Sequence, residues 1–299
     1  MDPPEKLKLK TDSSFALIKE GLKRNHHIKY IIDKDLSVKN GTPYAYAYDP
    51  LIKNEHELKL TNKEKIELQD FDALILRKDP PFNMDYIYMT YLIEMVGDKV
   101  LCVNRPSSLR TVNEKFYAQH FAFATPPSLI SKDVAEIKSF LKEFKKGIIK
   151  PLDLNGGQGI EIIEHNSEDE EKIKKLSKNG TEYILAQEFL KGVLSKGDKR
   201  ILVLDGKPLN ALLRIPKKGD FKGNISAGAT TSATDISKRE QEICSKLEDF
   251  FKSKGLHLVG LDFIDEKLTE INVTSPIISL EAYSENAKKI YDFIESKIS

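Results

Sequence analysis

Short apolar runs alternate with amphipathic helical patterns along the sequence, and this alternation restricts the fold more than any other feature. A buried strand pattern at 71–76 is followed by an amphipathic helix at 85–96 and by a second strand at 100–103. Two consecutive prolines at 80–81 exclude a longer first strand, because Pro cannot donate to a sheet ladder. Strands that alternate with helices in this way indicate an α/β protein.

The remaining patterns divide the chain further. A helix with a ready N-cap begins after 12–14, residues 40–60 are expected to form a loop or short hairpin, and a second helix is expected at 107–121. After a Thr-Pro-Pro sequence, the pattern predicts a compact unit of strands and helices with these limits: strands 128–130, 147–150, 160–164 and 183–187; helices 133–144 and 168–178. In the last third of the chain, the pattern predicts two strands, a polar loop, a helix, a hairpin and a final helix. Their limits are, in that order, 199–204 and 207–215, 216–235, 236–254, 257–273 and 283–298. We place domain boundaries near 117 and 192.

Composition excludes several classes of protein. The chain has 47 Lys and Arg against 46 Asp and Glu, a net charge of +1, which argues against a dedicated nucleic-acid binder. No run of about 18 apolar residues is present, so no membrane span is expected. The N-terminus lacks the apolar run of a signal peptide, and two cysteines cannot build a disulfide framework, so a reducing cytoplasm is expected.

A glycine-rich turn at 155–159 lies between two predicted strands and follows Lys150. Glycines let backbone N–H groups approach an anion closely, so the turn could fold over the phosphates of a nucleotide. The alternative is a plain turn, but a lysine that ends an apolar strand needs an anionic partner or solvent. The sequence GxxxxGK[ST] is absent, which excludes a P-loop.

Asp262, Glu270 and Asn272 lie on the predicted hairpin and offer hard oxygen ligands suited to Mg²⁺. Glu270 and Asn272 share one face of a strand. A three-residue loop at 265–267 would place Asp262 opposite Glu270, whereas a two-residue turn would send them to opposite faces. The alternative interpretation is a strand face exposed to solvent.

Arginine is scarce, with only seven among the 47 cations. Each arginine is therefore a candidate for binding a carboxylate or phosphate, which the planar guanidinium can do through two hydrogen bonds. Arg200 begins one predicted strand and Arg214 ends the next, across an Asp-Gly turn signal. The two could therefore lie near each other; two surface arginines are the alternative.

Together these segments resemble the prokaryotic-type glutathione synthetase family of ATP-grasp ligases. The matching strings occur in family order over nearly the whole chain: DSSFA (12–16), LRKDPPF (76–82), NRPSSLR (104–110), NEKFYA (113–118), IIKPLDLNGGQG (148–159), AQEFL (186–190), GDKRILVLDGKP (197–208), RIPKKGDFKGNISAG (214–228) and VGLDFI with LTEINVTSP (259–276). The resemblance implies an ATP-grasp fold. It has an N-terminal parallel-sheet α/β domain (1–117), a central lid subdomain (118–192) and a C-terminal catalytic sheet (193–299).

The resemblance also implies the reaction. ATP would phosphorylate the C-terminal carboxylate of γ-glutamylcysteine, and the amine of glycine would attack the acyl phosphate. The cofactors would be ATP and Mg²⁺, with Mn²⁺ as a substitute, in a cytoplasmic homotetramer that uses no nucleic acid and no membrane. No covalent enzyme intermediate is expected.

Site residues follow from the matching positions. Those implied for ATP are Lys115, Lys150, Gly156, Gly157, Gly159, Gln187, Glu188, Phe189, Leu190 and Asp198. The lysines and glycines would bind the phosphates, the strip 187–190 would read adenine, and Asp198 would contact the ribose. Mg²⁺ would be held by Asp262, Glu270 and Asn272. Arg200 and Arg214 would bind the substrate carboxylate and the developing acyl phosphate, with a substrate pocket formed by Arg77, Asn224, Thr274 and Ser275.

Three differences from the family pattern leave alternatives open. The short hydrophobic strand that usually precedes Met-Asp-Pro is missing, 277–281 reads Ile-Ile-Ser-Leu-Glu, and a usual Gly-Gly-Arg is replaced by Ala-Thr-Thr at 229–231. The missing strand suggests either that the start codon is assigned too late or that the first strand has been lost. The changed loops allow another ATP-grasp ligase with a different amine acceptor, and an inactive nucleotide-binding homologue is the third interpretation.

Overall fold

The structure is a computed structural model that describes residues 1–9, 12–54, 57–79, 81–224, 228–277 and 285–298. Within these residues the helices are α1 Ser13–Lys23, α2 Met84–Glu94, α3 Pro106–Thr111, α4 Val134–Leu141, α5 Asp169–Leu176, α6 Lys238–Lys254 and α7 Asn286–Ile298. The strands are β1 Tyr30–Lys39, β2 Thr42–Asn54, β3 Glu57–Glu67, β4 Ala73–Ile75, β5 Leu101–Val103, β6 Ser128–Ser131, β7 Gly147–Pro151, β8 Glu161–Ile163, β9 Ile184–Glu188, β10 Asp198–Leu204, β11 Lys207–Ile215, β12 Thr230–Thr234, β13 Leu258–Ile264 and β14 Lys267–Asn272. The expected α/β class is confirmed, and no described helix has the length and apolar character needed to cross a membrane.

The segment expected as a loop or short hairpin at 40–60 is instead part of a long antiparallel sheet, β1-β2-β3. Asn40 and Gly41 both have positive φ, 52° and 83°, and form its first turn. Asn-Gly is a strong hairpin signal, and here it joins two strands much longer than a short hairpin would have. In β2, Ala45 and Ala47 are fully buried while Tyr46 faces outward, so the tyrosines alternate with small core residues.

The helix expected at 107–121 is two separate pieces. α3 ends at Thr111, and a 3₁₀ turn covers Tyr117–Phe121. Between them the side chain of Asn113 accepts hydrogen bonds from the N–H groups of Lys115 (3.1 Å) and Phe116 (2.8 Å). Such local bonds compete with helix continuation. The break sends Glu114 and Lys115 towards the centre of the molecule, where both line a cavity.

Two larger sheets follow. The first has the order β6-β9-β7-β8, and α4 and α5 pack on it through Ile137, Leu141 and Ile173, all essentially buried. The second is antiparallel with the order β12-β11-β10-β13-β14. Helix α6 covers one of its faces and begins at a capping box formed by Ser237 and Glu240.

Residues 230–234, expected as part of a polar loop, form edge strand β12 against β11. This strand consists of Thr, Ser and Ala, and its residues are largely exposed. It therefore carries no apolar alternation that sequence reasoning could detect.

Candidate active site

A cavity of about 350 Å³ lies between the two larger sheets. Its lining includes every candidate site residue except Gly159 and Arg77: Lys115, Lys150, Gly156, Gly157, Gln187, Glu188, Phe189, Leu190, Asp198, Arg200, Arg214, Asn224, Asp262, Glu270, Asn272, Thr274 and Ser275. The chain thus brings together groups that are up to about 160 positions apart in the sequence, as Lys115 and Ser275 are.

The glycine-rich turn forms one wall of this cavity. Gly156, Gly157 and Gly159 all have positive φ, between 64° and 77°, which side chains rarely adopt. A Cβ on Gly157 would lie 2.7 Å from Oδ1 of Asn224, so the turn packs closely on the 222–224 segment. Gly159 instead faces Pro151, which explains why it does not line the cavity.

Two buried lysines face the cavity. Lys150 is 7% exposed at the end of β7, and burial lowers the pKa of its ammonium although nearby carboxylates, Glu270 first, oppose that shift. Lys115 is 3% exposed and donates from Nζ to the carbonyl of Leu154 at 2.6 Å. Two buried ammonium groups beside a glycine turn suit an anionic ligand.

The strip 187–190 crosses the cavity as β9 ends. Gln187 lies in the sheet, and its side chain donates to the hydroxyl of Ser128 at 2.8 Å. The N–H groups of Glu188 and Phe189 are already bonded to the carbonyls of residues 127 and 146. The N–H of Leu190 is bonded to no residue that the structure describes, so it is free to read a ligand.

An apolar slot lies beside this strip. Phe189 packs edge-on against Phe221 with ring centroids 6.3 Å apart. Ile148, Ile160 and Ile264 also belong to the apolar lining. An apolar slot with an N–H at its edge that no described residue accepts suits a heteroaromatic ring.

The hairpin of β13 and β14 carries the candidate metal ligands Asp262, Glu270 and Asn272. Its turn has two residues, Asp265 and Glu266, both with positive φ, so the shorter of the two loop lengths considered occurs. Asp262 nevertheless pairs with Glu270, because a β-bulge at Thr269 inserts one residue and restores the register. The hydroxyl of Thr269 donates to the Asp262 carbonyl at 3.1 Å. The three ligand candidates therefore share one face.

Arginines surround the first of these carboxylates. Arg200 donates from Nε to Oδ1 of Asp262 (2.7 Å) and from Nη2 to Oδ2 (2.6 Å). Nη2 of Arg214 bridges Oδ2 of Asp262 (2.9 Å) and Oδ2 of Asp198 (2.5 Å). Two cations and two anions thus form a nearly buried network on the cavity floor.

The network lowers the pKa of one of its carboxyl groups, Asp262, and leaves that of the other, Asp198, raised. Burial opposes ionisation of Asp262, but the guanidinium groups of Arg200 and Arg214 outweigh it and lower the pKa. For Asp198 burial dominates and raises the pKa to about 6, since Arg214 is shared between two carboxylates. Oδ1 of Asp198 and Nε of Arg214 are buried without a partner among the described residues. Such orphaned atoms at a cavity indicate groups that await a ligand.

Oxygen donors here fit a hard cation. Within the described residues no three His, Cys, Asp or Glu side chains cluster as a metal site. The candidate set is instead two carboxylates and one amide, from Asp262, Glu270 and Asn272. Nδ2 of Asn272 donates to the carbonyl of Gly260 at 3.2 Å, so Oδ1 is the atom of this side chain that could face a cation. Mg²⁺ binds few protein oxygens and completes its shell with water and phosphate oxygens, so Asp262, Glu270 and Asn272 could hold it.

The remaining substrate candidates lie around the 274–276 loop. Thr274 donates to Oε1 of Glu114 at 3.2 Å, and Ser275 donates to Asp79. Arg77 is buried behind the loop and donates from Nη1 to the carbonyl of Pro276 at 3.0 Å, so it supports the loop without lining the cavity. Of the altered segment 277–281, residues 278–281 lie outside the described residues.

Sequence reasoning missed Glu114, which lines the cavity beside Lys115. Burial and then the nearby Glu270 carboxylate raise its pKa to about 7. The only signal was its place in the matching string at 113–118. Lys222 was likewise missed and lines the cavity near Gly157.

Comparisons with known proteins bear on the whole chain. A family model for the prokaryotic glutathione synthetase N-terminal domain matches residues 1–110, and one for the ATP-grasp domain of the same enzyme matches 114–286. The glutathione synthetase of Vibrio parahaemolyticus is 39% identical over 309 aligned positions that cover 100% of this chain and 97% of that protein. The glutathione synthetase of Escherichia coli K12 is 37% identical, covering 95% of this chain and 92% of its own length.

Similar solved structures support the fold alone, because their sequence identity to this chain is low. The ATP-grasp ligase PsnB, bound to a precursor variant, Mg and ADP, has a TM-score of 0.64 at 16% identity over 100% of this chain and 97% of its own. D-cycloserine synthetase DcsG has a TM-score of 0.63 at 15% identity over 78% of this chain and 86% of its own. The fold is therefore ATP-grasp. With both family models matched and full-length relatives near 38% identity, the chain belongs to the prokaryotic glutathione synthetase family.

Proposed function

We propose that the chain catalyses ATP-dependent formation of the peptide bond between γ-glutamylcysteine and glycine through an acyl phosphate. The observation that carries this proposal is the single cavity that combines two buried lysines, a glycine turn, a pair of carboxylates and two arginines. These are the groups that phosphoryl transfer to a carboxylate requires, because that chemistry depends on alignment and neutralisation of charge.

The chemistry proceeds in two displacements. A carboxylate does not react with an amine at neutral pH because its oxygen is a poor leaving group. A carboxylate oxygen of the dipeptide attacks the γ-phosphorus of ATP and ADP leaves. The glycine amine then attacks the carbonyl carbon, phosphate departs with the former carboxylate oxygen, and the amine proton passes to phosphate or water.

Nucleotide binding follows from the cavity walls. Lys115 and Lys150 would neutralise the phosphates while the turn at 156–159 covers them. The free Leu190 N–H would bond the adenine edge in the apolar slot, and the orphaned Oδ1 of Asp198 would accept a ribose hydroxyl. The last two roles supply a partner to atoms that have none among the described residues.

At the acceptor end, Arg200 and Arg214 keep further N–H groups that could bond the substrate carboxylate and the acyl phosphate. Asn224, Thr274 and Ser275 line the same end, and Arg77 holds it from behind. Asp262, Glu270 and Asn272 would hold Mg²⁺, which when bound neutralises phosphate charge. Mn²⁺ would substitute for it.

A second candidate is an ATP-grasp ligase with another amine acceptor. The observation that favours it is strand β12, where the loop expected over the substrate presents Thr, Ser and Ala in place of a cation. An inactive homologue is disfavoured because the phosphate lysines, metal carboxylates and arginines are all present. We also propose the domain limits 1–117, 118–192 and 193–299, a homotetramer and a cytoplasmic location.

Phosphate release measured across a panel of dipeptides and amines tests the proposal. The highest kcat/KM is expected for γ-glutamylcysteine with glycine, with glutathione identified by mass spectrometry. Turnover only with another amine would select the second candidate. ATP binding without turnover under every combination would refute ligase activity.

A further inference from the structure

Arg200 stands directly opposite Asp262 on the neighbouring strand, and Asp262 in turn stands opposite Glu270. The guanidinium therefore binds the carboxylate in a bidentate arrangement, in which Nε donates to one oxygen and Nη2 to the other. The side chain of Arg200 is 11% exposed and that of Asp262 is 5% exposed, so solvent screens this pair little.

A glycine makes room for the fork. Gly260 lies two residues before Asp262, and a Cβ there would lie 3.2 Å from Cβ of Pro276, 3.3 Å from Cδ of Arg200 and 3.4 Å from its Nε. Gly260 does not have positive φ, so the backbone does not require glycine at this position. The residue instead leaves space for the Arg200 side chain and for Pro276.

The lone pairs of Asp262 can then be counted. An ionised carboxylate offers about four acceptor positions. Among the described residues, Oδ2 accepts from both Arg200 and Arg214, whereas Oδ1 accepts only from Arg200. The position that remains is on Oδ1, so the arginines leave Asp262 one direction in which to bind a cation.

We propose that Arg200 is a positioning residue for the divalent cation, which fixes the plane of the Asp262 carboxylate and presents its Oδ1 as a single ligand atom. This rests on the metal assignment in the proposed function and adds to it a residue that does not touch the metal. Lysine cannot replace the fork, since an ammonium is a point charge that does not define the plane of a carboxylate. Loss of an outer partner of a metal ligand typically weakens metal binding by about 10- to 100-fold.

Mn²⁺ binding to the full chain, followed by electron paramagnetic resonance without nucleotide or dipeptide, tests this role apart from turnover. Arg200→Lys keeps the charge and is expected to weaken Mn²⁺ binding by about 10-fold. Gly260→Ala removes no charge and is expected to weaken binding less, in the same direction. Arg24→Lys is the matched control, because Arg24 also grips carboxylates at 2.8–2.9 Å but lies outside the cavity lining. It should bind Mn²⁺ as the wild type does.

The outcomes separate cleanly. Unchanged Mn²⁺ affinity in Arg200→Lys together with a raised KM for the dipeptide would mean that Arg200 contacts substrate alone, and would overturn the proposal. Tighter Mn²⁺ binding would also overturn it, because Arg200 would then compete with the metal. Equal Mn²⁺ affinity in wild type and Asp262→Asn would refute the metal assignment itself. Thermal unfolding of each variant shows whether it is folded.

Discussion

Replacement of Gly157 by Ala tests whether the glycine turn acts by close packing over the phosphates. The turn residue has a φ of 77°, and a new Cβ would lie 2.7 Å from Oδ1 of Asn224. The left-handed conformation alone costs a non-glycine residue about 1–2 kcal/mol. The contact with the end of the Asn224 side chain adds to this, so that side chain or the turn itself must shift.

We expect the KM for ATP to rise by about 10-fold, because a shift of the turn that removes roughly 1.4 kcal/mol of phosphate binding has that effect. Gly97→Ala is the control, since Gly97 has a φ of 67°, a Cβ added there would meet no atom within 4 Å, and the residue does not line the cavity. Both variants share the backbone strain, and only Gly157→Ala has the clash.

The assay is initial-rate phosphate release at varied ATP with saturating dipeptide and amine, with thermal unfolding measured in parallel. A KM for ATP within about twofold of wild type in Gly157→Ala, or an equal rise in both variants, would refute the packing argument.

Further predictions concern charge, pH and helix capping. Lys150→Gln removes one of the two buried ammonium groups at the cavity and should lower kcat/KM for ATP by about 100-fold. This is the scale of one lost charge-assisted hydrogen bond, about 1.5–3 kcal/mol. A loss below about threefold in the same rate assay would contradict a role of Lys150 in phosphate binding. Glu114 has a folded-state pKa raised to about 7, so its ionisation destabilises the fold, and the free energy of unfolding should fall as pH rises from about 4.5 to about 7. In urea titrations Glu114→Gln should reduce this pH dependence, and an unchanged slope would show that Glu114 is not the group responsible. Ser237→Ala removes the capping box of α6 and should lower the free energy of unfolding by about 1 kcal/mol, whereas Ser253→Ala, at an exposed position, should not; equal effects in urea melts would contradict the capping account.

Much of the fold was predictable where local patterns were strong. The hairpin of β10 and β11, the helix that follows and the β13–β14 hairpin all appear close to their predicted limits. Strand β12 was not predictable, since an exposed edge strand of Thr and Ser has no apolar period. The interrupted helix after Thr111 depends on side-chain bonds of Asn113, which compete with helix continuation in a way that periodicity does not reveal.

Most residues that line the cavity could be named from the sequence, whereas their contacts with one another could not. From loop length alone, a two-residue turn would have separated Asp262 from Glu270, yet they pair across such a turn because a bulge at Thr269 restores the register. The substrate role of Arg200 stays a prediction, and its two hydrogen bonds to Asp262 were not foreseen from the sequence. A sequence gives the charge available at a position and not its partner, because the partner depends on the register across strands.

Oxygen transfer tests the central claim most directly. γ-Glutamylcysteine labelled with ¹⁸O at both oxygens of its cysteinyl carboxylate is incubated with ATP, Mg²⁺, glycine and the enzyme, and the phosphate and peptide are analysed by mass spectrometry. An acyl phosphate route predicts one ¹⁸O in each phosphate released and one retained in the new amide carbonyl. Glutathione formed with unlabelled phosphate would contradict that route, and phosphate released without glutathione would contradict the proposed function.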